Sequence, residues 1–125
     1  MDAAFLSQIA GEDFCYLTTT GRVSGKPHTI EIWFAVAGGA VYMMAGGGMR
    51  ADWVRNLMKD GVVTVAFGRP DAEAHAGRAH AIDAQAEPEL DALARRLLAG
   101  KYQGWTEGKP LSGWARTALP VVIRF

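Results

Sequence analysis

The sequence predicts a mainly β, α+β fold: a small antiparallel barrel of about six strands with two or three flanking helices. Short runs rich in aromatic and β-branched residues recur along the chain, and tight glycine-containing turns separate them. Half of the residues are apolar, enough for a chain of 125 residues to bury a real core as one domain, residues 1–125. Helical spacing is confined to short stretches between the strands. Strands this short with connections this tight pair antiparallel, and a sheet of this size closes to hide its edges.

Taken in order, Ala3 to Ile9 reads as a short helix ended by Gly11, and Phe14 to Thr20 as the first strand. Gly21 to Lys26 is a loop, and Pro27 suits the start of an edge strand, where its missing N–H does no harm. Thr29 to Val36 reads as one strand with Ile30, Ile32, Phe34 and Val36 on one face. Gly38-Gly39 predicts a hairpin turn, and Ala40 to Ala45 the returning strand. Gly46 to Arg50 is too glycine-rich for regular structure. Asp52 is the expected N-cap of a helix reaching Lys59, with Trp53, Val54, Leu57 and Met58 as its apolar face and Gly61 as a left-handed C-cap. Val62 to Phe67 is a strand, Arg69 to Asp71 a turn, and Ala74 to Ala84 a further strand. From Pro88 a helix carries Leu90, Leu93, Ala94, Leu97 and Leu98 at helical spacing, with Gly100 as its expected end. Lys101 to Arg116 reads as irregular, and Leu119 to Phe125 as the last strand.

The formal net charge is zero, which removes any global field for nucleic acid or an anionic membrane. Locally, Gly21 to Lys59 carries five cations (Arg22, Lys26, Arg50, Arg55, Lys59) against two acids (Glu31, Asp52), a balance suited to a small anion. Cys15 is the single cysteine and allows no intramolecular disulfide. Its place inside a strand predicts a buried, inert thiol. The N-terminal stretch lacks a basic region followed by a long apolar one, and no apolar run approaches membrane-spanning length. A cytoplasmic protein is the expectation.

Two neighbouring loops carry the chemistry. Phosphate binding asks for backbone N–H groups that can approach closely, together with cations and hydroxyls. Gly21, Gly25 and Gly46 to Gly48 supply the backbone, Arg22, Lys26 and Arg50 the charge, and Thr20 and Ser24 the hydroxyls. The glycine run is no Walker loop, since no Lys-Ser or Lys-Thr follows it. His28, His75 and His80 share no metal-ligand spacing, and no nucleophile elbow surrounds Ser24. Trp33, Met43, Met44 and Trp53 have the character of walls for a flat ring, and equally of core residues. Trp105 and Trp114 read either as a flap over a flat substrate or as cover for the barrel end. Asn56 reads as a loop cap or a ligand contact.

At these residues the chain resembles a known family. Leu17 to Phe34, LTTTGRVSGKPHTIEIWF, is similar to the opening motif of the deazaflavin-dependent nitroreductases. These belong to the FMN-binding split β-barrel superfamily, which includes pyridoxamine 5′-phosphate oxidase. Met43 to Leu57, MMAGGGMRADWVRNL, resembles the family's strand, small-residue loop and Trp-x-x-Asn-Leu helix. The resemblance is close over residues 14 to 68 and looser through a KY-containing segment and the closing PVVIRF strand. It implies a split barrel with a deazaflavin (8-hydroxy-5-deazaflavin) or FMN as cofactor. It places the cofactor phosphate at Arg22, Ser24, Gly25 and Lys26. Pro27, His28, Thr29, Ala45, Gly46, Gly47, Gly48, Met49, Arg50, Trp53 and Asn56 then line the cofactor groove. Gly46 stands where relatives often carry serine, and Ala51-Asp52 where they tend to carry a proline.

The sequence-level expectation is an oxidoreductase passing a hydride between the cofactor and a flat unsaturated, nitro or quinone-like molecule. A non-catalytic carrier of a flavin, tetrapyrrole or lipid is the alternative. Trp33, Trp105 and Trp114 are assigned to the substrate side, no side chain stands out as catalytic, and a homodimer is expected by analogy.

Overall fold

The computed structural model describes residues 3–125. Among them, seven strands form one antiparallel sheet: β1 (Cys15–Thr20), β2 (Pro27–Ile32), β3 (Ala35–Ala37), β4 (Ala40–Ala45), β5 (Val62–Phe67), β6 (His75–Ala81) and β7 (Leu119–Arg124). Four α-helices accompany it: α1 (Ala3–Ile9), α2 (Asp52–Lys59), α3 (Pro88–Gln103) and α4 (Gly113–Thr117). The spatial order is β2-β1-β5-β6-β7-β4-β3. The two edge strands, β2 and β3, are neighbours in sequence and are joined only by Trp33 and Phe34. Two residues span at most roughly 7 Å, so the edges must approach and the sheet must curl. That is the expected split barrel.

The single strand expected from Thr29 to Val36 therefore breaks, which raises the strand count to seven. Its predicted faces survive the break. Ile30, Ile32, Phe34 and Val36 pack with Leu17, Val41, Met43, Val65 and Ile123 in the barrel interior. The alternate residues Trp33, Ala35 and Ala37 join a second core between the sheet's outer face and α3 and α4. β4 is buried along its whole length because it serves both cores: Val41 and Met43 point to one, Tyr42 and Met44 to the other. Leu6 of α1 is buried in the interior core, and Phe5 packs beside Phe67 and His75.

Three helix boundaries differ from expectation. α2 is preceded by Ala51, and Asp52 is its first residue; no side chain caps this end. Asp52 is engaged elsewhere. Asp60, in extended conformation, follows α2, and Gly61 is not left-handed. Gly61 eases a close approach instead: a Cβ there would stand 3.0 Å from the Ala79 carbonyl, so β6 would have to give way by a few tenths of an ångström. α3 runs through Gly100 and stops at Gly104, which takes the left-handed conformation (φ 66°). A glycine inside a helix costs about 1 kcal/mol, and burial of Leu98 and Ala99 with anchoring of the next turn outweighs it. The Gly38-Gly39 hairpin forms as expected, both glycines having positive φ.

Candidate functional site

The loop between β1 and β2 is a compact turn. Gly21 donates its N–H to the Lys26 carbonyl (2.8 Å), Gly25 donates to Gly21 O (2.9 Å), and Lys26 N–H donates to Ser24 Oγ (3.1 Å). Ser24 and the His28 ring fold over Gly21 so closely that a Cβ there would lie 2.6 Å from His28 Nε2. A side chain at this position would push Ser24 and His28 out of their present places.

α2 holds the turn from the other side. The buried Asn56 accepts from the Arg22 backbone N–H (3.1 Å) and from Arg22 Nη1 (2.9 Å), and donates to Thr19 Oγ1 (3.2 Å). Asp52 pairs with Arg22 Nη2 at 3.1 Å, and Lys59 Nζ donates to the Arg22 carbonyl at 2.8 Å. Asp52, Asn56 and Lys59 lie at helical positions i, i+4 and i+7, so one face of α2 grips one residue. The sequence reading had Asn56 as a cap or a ligand contact and gave no partner to Asp52 or Lys59. Their common helical spacing was the available signal.

Between this turn, the start of β2 and α2 lies a cleft of about 480 Å³, lined by Arg22, Ser24, His28, Thr29, Asp52, Trp53 and Asn56 together with Gly21, Val23 and Ile30. Six of the predicted site residues thus share one wall. Thr20 and Gly25 line a second cleft at the same turn, with Lys59 and Asp60. Lys26 and Pro27 are exposed on the turn itself, and the Lys26 ammonium has no protein partner among the described residues. Thr29 Oγ1 is 2.7 Å from Thr18 Oγ1, across the β1–β2 pair.

The glycine turn lies just ahead of α2. Ala45 is buried at the end of β4, and Gly48–Arg50 form a 3-10 turn with Gly48 at φ 58°. Gly46 to Gly48, Met49 and Arg50 stand outside the lining of the cleft between the turn and α2. They connect to it through α2, which begins two residues after Arg50. The Arg50 side chain is exposed and makes no hydrogen bond or ion pair among the described residues.

The three tryptophans separate. Trp33 stacks flat on Tyr102 (centroids 4.4 Å, 2° between planes) and meets Trp114 edge-on at 5.4 Å. Trp114 Nε1 lies 3.4 Å from where a Cβ on Gly46 would stand, ordinary van der Waals contact. This wall therefore adjoins the glycine turn. Trp105 does not belong to it: its indole N–H donates to Lys109 O at 2.7 Å within its own loop, and its ring packs on the outer core. No such bond engages the indole N–H of Trp33 or Trp114 among the described residues.

Sequence reasoning missed Lys101 and Tyr102. The Tyr102 hydroxyl accepts from Phe34 N–H (3.0 Å) and lies 2.8 Å from Asp13 O and 2.9 Å from Phe34 O. Lys101 Nζ donates to Glu12 O (2.7 Å) and Phe34 O (2.9 Å) and stands 3.9 Å above the Phe34 ring. Burial pushes the Lys101 ammonium below the usual lysine range and the Tyr102 phenol up to about 12. Burial likewise raises Cys15 to about 12, so this thiol is inert, as its place in β1 predicted.

A cleft of this size falls within the roughly 300–1,000 Å³ typical of small-molecule sites. With the Ser24 hydroxyl in its lining and the unpaired Lys26 ammonium on the glycine-containing turn that borders it, the residues fit a flat ring bearing a phosphate. The sequence matches the family model described as F420H(2)-dependent quinone reductase over residues 1–122. The chain belongs to this family. Membership makes a deazaflavin the cofactor class, FMN being the related option on this fold. A conserved hypothetical protein from Mycobacterium tuberculosis is similar in structure, with a TM-score of 0.73 and 19% identity, over 100% of this chain and 80% of that one. An F420-H2 dependent reductase aligns with a TM-score of 0.63 and 16% identity, over 90% of this chain and 94% of that one. The haem storage protein HutZ from Vibrio cholerae aligns with a TM-score of 0.72 and 12% identity, over 98% of this chain and 88% of that one. At these identities the likeness establishes the shared fold. No curated protein matches the sequence. No helix among the described residues is long and apolar enough to cross a membrane.

Proposed function

We propose that this chain is a deazaflavin-dependent oxidoreductase acting on a flat, quinone-like acceptor. The observation that carries the reading is the cleft beneath the first turn, with backbone fixed by Asn56 and exposed hydrogen-bonding and cationic groups left over. When bound, the reduced deazaflavin supplies a hydride equivalent. The protein binds and orients. Ser24 Oγ, the Lys26 ammonium and the Arg50 guanidinium hold the phosphate, while Thr29, Ile30 and Trp53 form the wall against which the ring lies. Arg22 contributes mainly by shaping the turn, since its guanidinium is already paired with Asp52 and Asn56. Trp33 and Trp114 offer indole N–H donors and aromatic edges on the acceptor side. No side chain is assigned a proton transfer, and a quinone that accepts the hydride needs one further proton, from solvent, to reach its hydroquinone.

The test is to mix purified protein with reduced deazaflavin and menadione and to follow reoxidation by absorbance. Turnover above the protein-free rate is expected, together with quenching of cofactor fluorescence on binding. Binding without turnover across nitro and quinone acceptors would leave a carrier. Absence of binding to both deazaflavin and FMN would remove the cofactor assignment.

A further inference from the structure

We propose that the chain carries a second ligand site, between the end of α2 and β6, and that it takes a short aliphatic carboxylate. A cavity of about 520 Å³ lies there, within the range of small-molecule sites. Its walls are the last turn of α2, Gly61 and the Arg78 to Ala81 stretch of β6. It shares no lining residue with the cleft below the first turn. The inference is therefore independent of the cofactor reading. Three basic side chains reach the cavity, and two are committed. Lys59 Nζ donates to Arg22 O at 2.8 Å, and His80 Nε2 lies 2.9 Å from Glu87 Oε1. Arg78 is left over: no hydrogen bond or ion pair engages its guanidinium among the described residues.

Arg78 is placed even without a partner. Its Cγ and Nη1 lie 3.6 and 3.7 Å from where a Cβ on Gly61 would stand, so the side chain rests over bare backbone. It also stands directly opposite Arg124 across the β6–β7 pair, on the same face of the sheet. Like charges so opposed destabilise a sheet, and no carboxylate pairs with either residue among the described ones. A bound anion relieves that repulsion. A guanidinium stays charged and presents a planar fork that matches a carboxylate. The remaining walls, Leu57, Met58, Ala79 and Ala81, are apolar and hold no aromatic ring, and Met58 is 55% exposed. They offer nothing for a flat ring to stack on and suit methylenes. The carboxylate then lies at Arg78 and the chain against Met58, which keeps the anion away from the negative end of α2.

The test titrates the protein, without deazaflavin, with hexanoate and with its uncharged counterpart 1-hexanol. Binding is followed by NMR at the Met58 methyl and the Gly61 and Ala79 amides. Hexanoate is expected to give saturable shifts at these three residues, and 1-hexanol to bind about tenfold more weakly. Arg78→Gln should weaken hexanoate about tenfold and leave 1-hexanol unchanged. Arg78→Lys, which keeps the charge and loses the fork, should fall between. Arg78 is exposed, so both variants should melt like the parent. Absence of saturable shifts, shifts confined to the first turn, equal binding of the alcohol, or full affinity in Arg78→Gln would each overturn the proposal. None of these results touches the cofactor assignment, which is read at the other cleft.

Discussion

Two connections in this molecule are stitched to a helix by side chains that reach backbone atoms, and they have opposite characters. At the Trp33–Phe34 crossover, Lys101 and Tyr102 satisfy the amide and carbonyl of Phe34, and the Phe34 ring is fully buried. At the first turn, Asn56, Asp52 and Lys59 hold Arg22, yet Ser24, Lys26 and His28 stay exposed, and Val23 at the tip is 93% exposed. The crossover spends its polar groups on closing the barrel. The turn takes its α2 partners at a single residue, keeps Ser24 and His28 exposed with bonds only inside the turn, and leaves the Lys26 ammonium unpaired. A binding loop needs a fixed backbone and unoccupied side chains together, and one helix face gripping one residue provides both.

If the comparison is right, changes at the crossover act on stability. Phe34→Ala is expected to cost about 3–5 kcal/mol, the range for emptying a buried aromatic site, read from urea unfolding. A loss below about 1 kcal/mol would mean the crossover is not closing the barrel. Asn56→Ala is the test on the other side. It strips Arg22 N–H and Thr19 of a buried partner and should cost about 1–3 kcal/mol. It should also weaken cofactor binding, because the turn's backbone is then free to move. Lost stability with unchanged affinity would separate the clip from the site.

The crossover should also show in alkaline solution. Cys15 is raised from 9.0 to about 12 by burial, and Tyr102 from 10.0 to about 12 by the same cause. Between these limits the unfolded chain loses protons that the native chain retains. Stability is then full below about pH 9 and falls as pH rises toward 12. Lys101 opposes this: its native pKa is lowered by desolvation, so the unfolded chain holds that proton longer and stability gains as pH climbs toward 10.5. The two raised groups are expected to dominate, giving a urea midpoint that declines above pH 9. Cys15→Ala should delay the onset, and Tyr102→Phe should flatten the limb above pH 10. An unaltered profile in both variants would place the alkaline sensitivity elsewhere.

Much of the fold was legible because it depends on local pattern. The run Ala40 to Ala45, the Gly38-Gly39 hairpin and Val62 to Phe67 needed only period and turn chemistry. The break at Trp33–Phe34 was not legible, because nothing local stops that strand. It ends since the two barrel edges must meet there, and its amide finds Tyr102, 68 residues away in sequence. Gly100 was misread for a related reason: packing of Leu98 and anchoring of Tyr102 override a residue that ordinarily ends helices. At the site, the glycines and cations of the first turn could be named in advance. Their division of labour could not, since it rests on Asp52 turning from a capping role to an ion pair with Arg22.

The smallest effect on stability belongs to the unpaired cations, and it sharpens the comparison most. The Lys26 and Arg50 side chains are exposed, and their charged ends bond to nothing among the described residues. Surface changes of this kind usually stay within about 0.5 kcal/mol. Lys26→Ala and Arg50→Ala should therefore melt like the parent while each weakens cofactor binding about tenfold, the loss of one charge-assisted hydrogen bond. Arg22→Ala should differ in kind, lowering stability as well as affinity, because its guanidinium is built into the fold. If Arg50→Ala left affinity unchanged while Lys26→Ala did not, the phosphate would be held by the first turn alone. The glycine turn, already the neighbour of Trp114, would then belong to the acceptor.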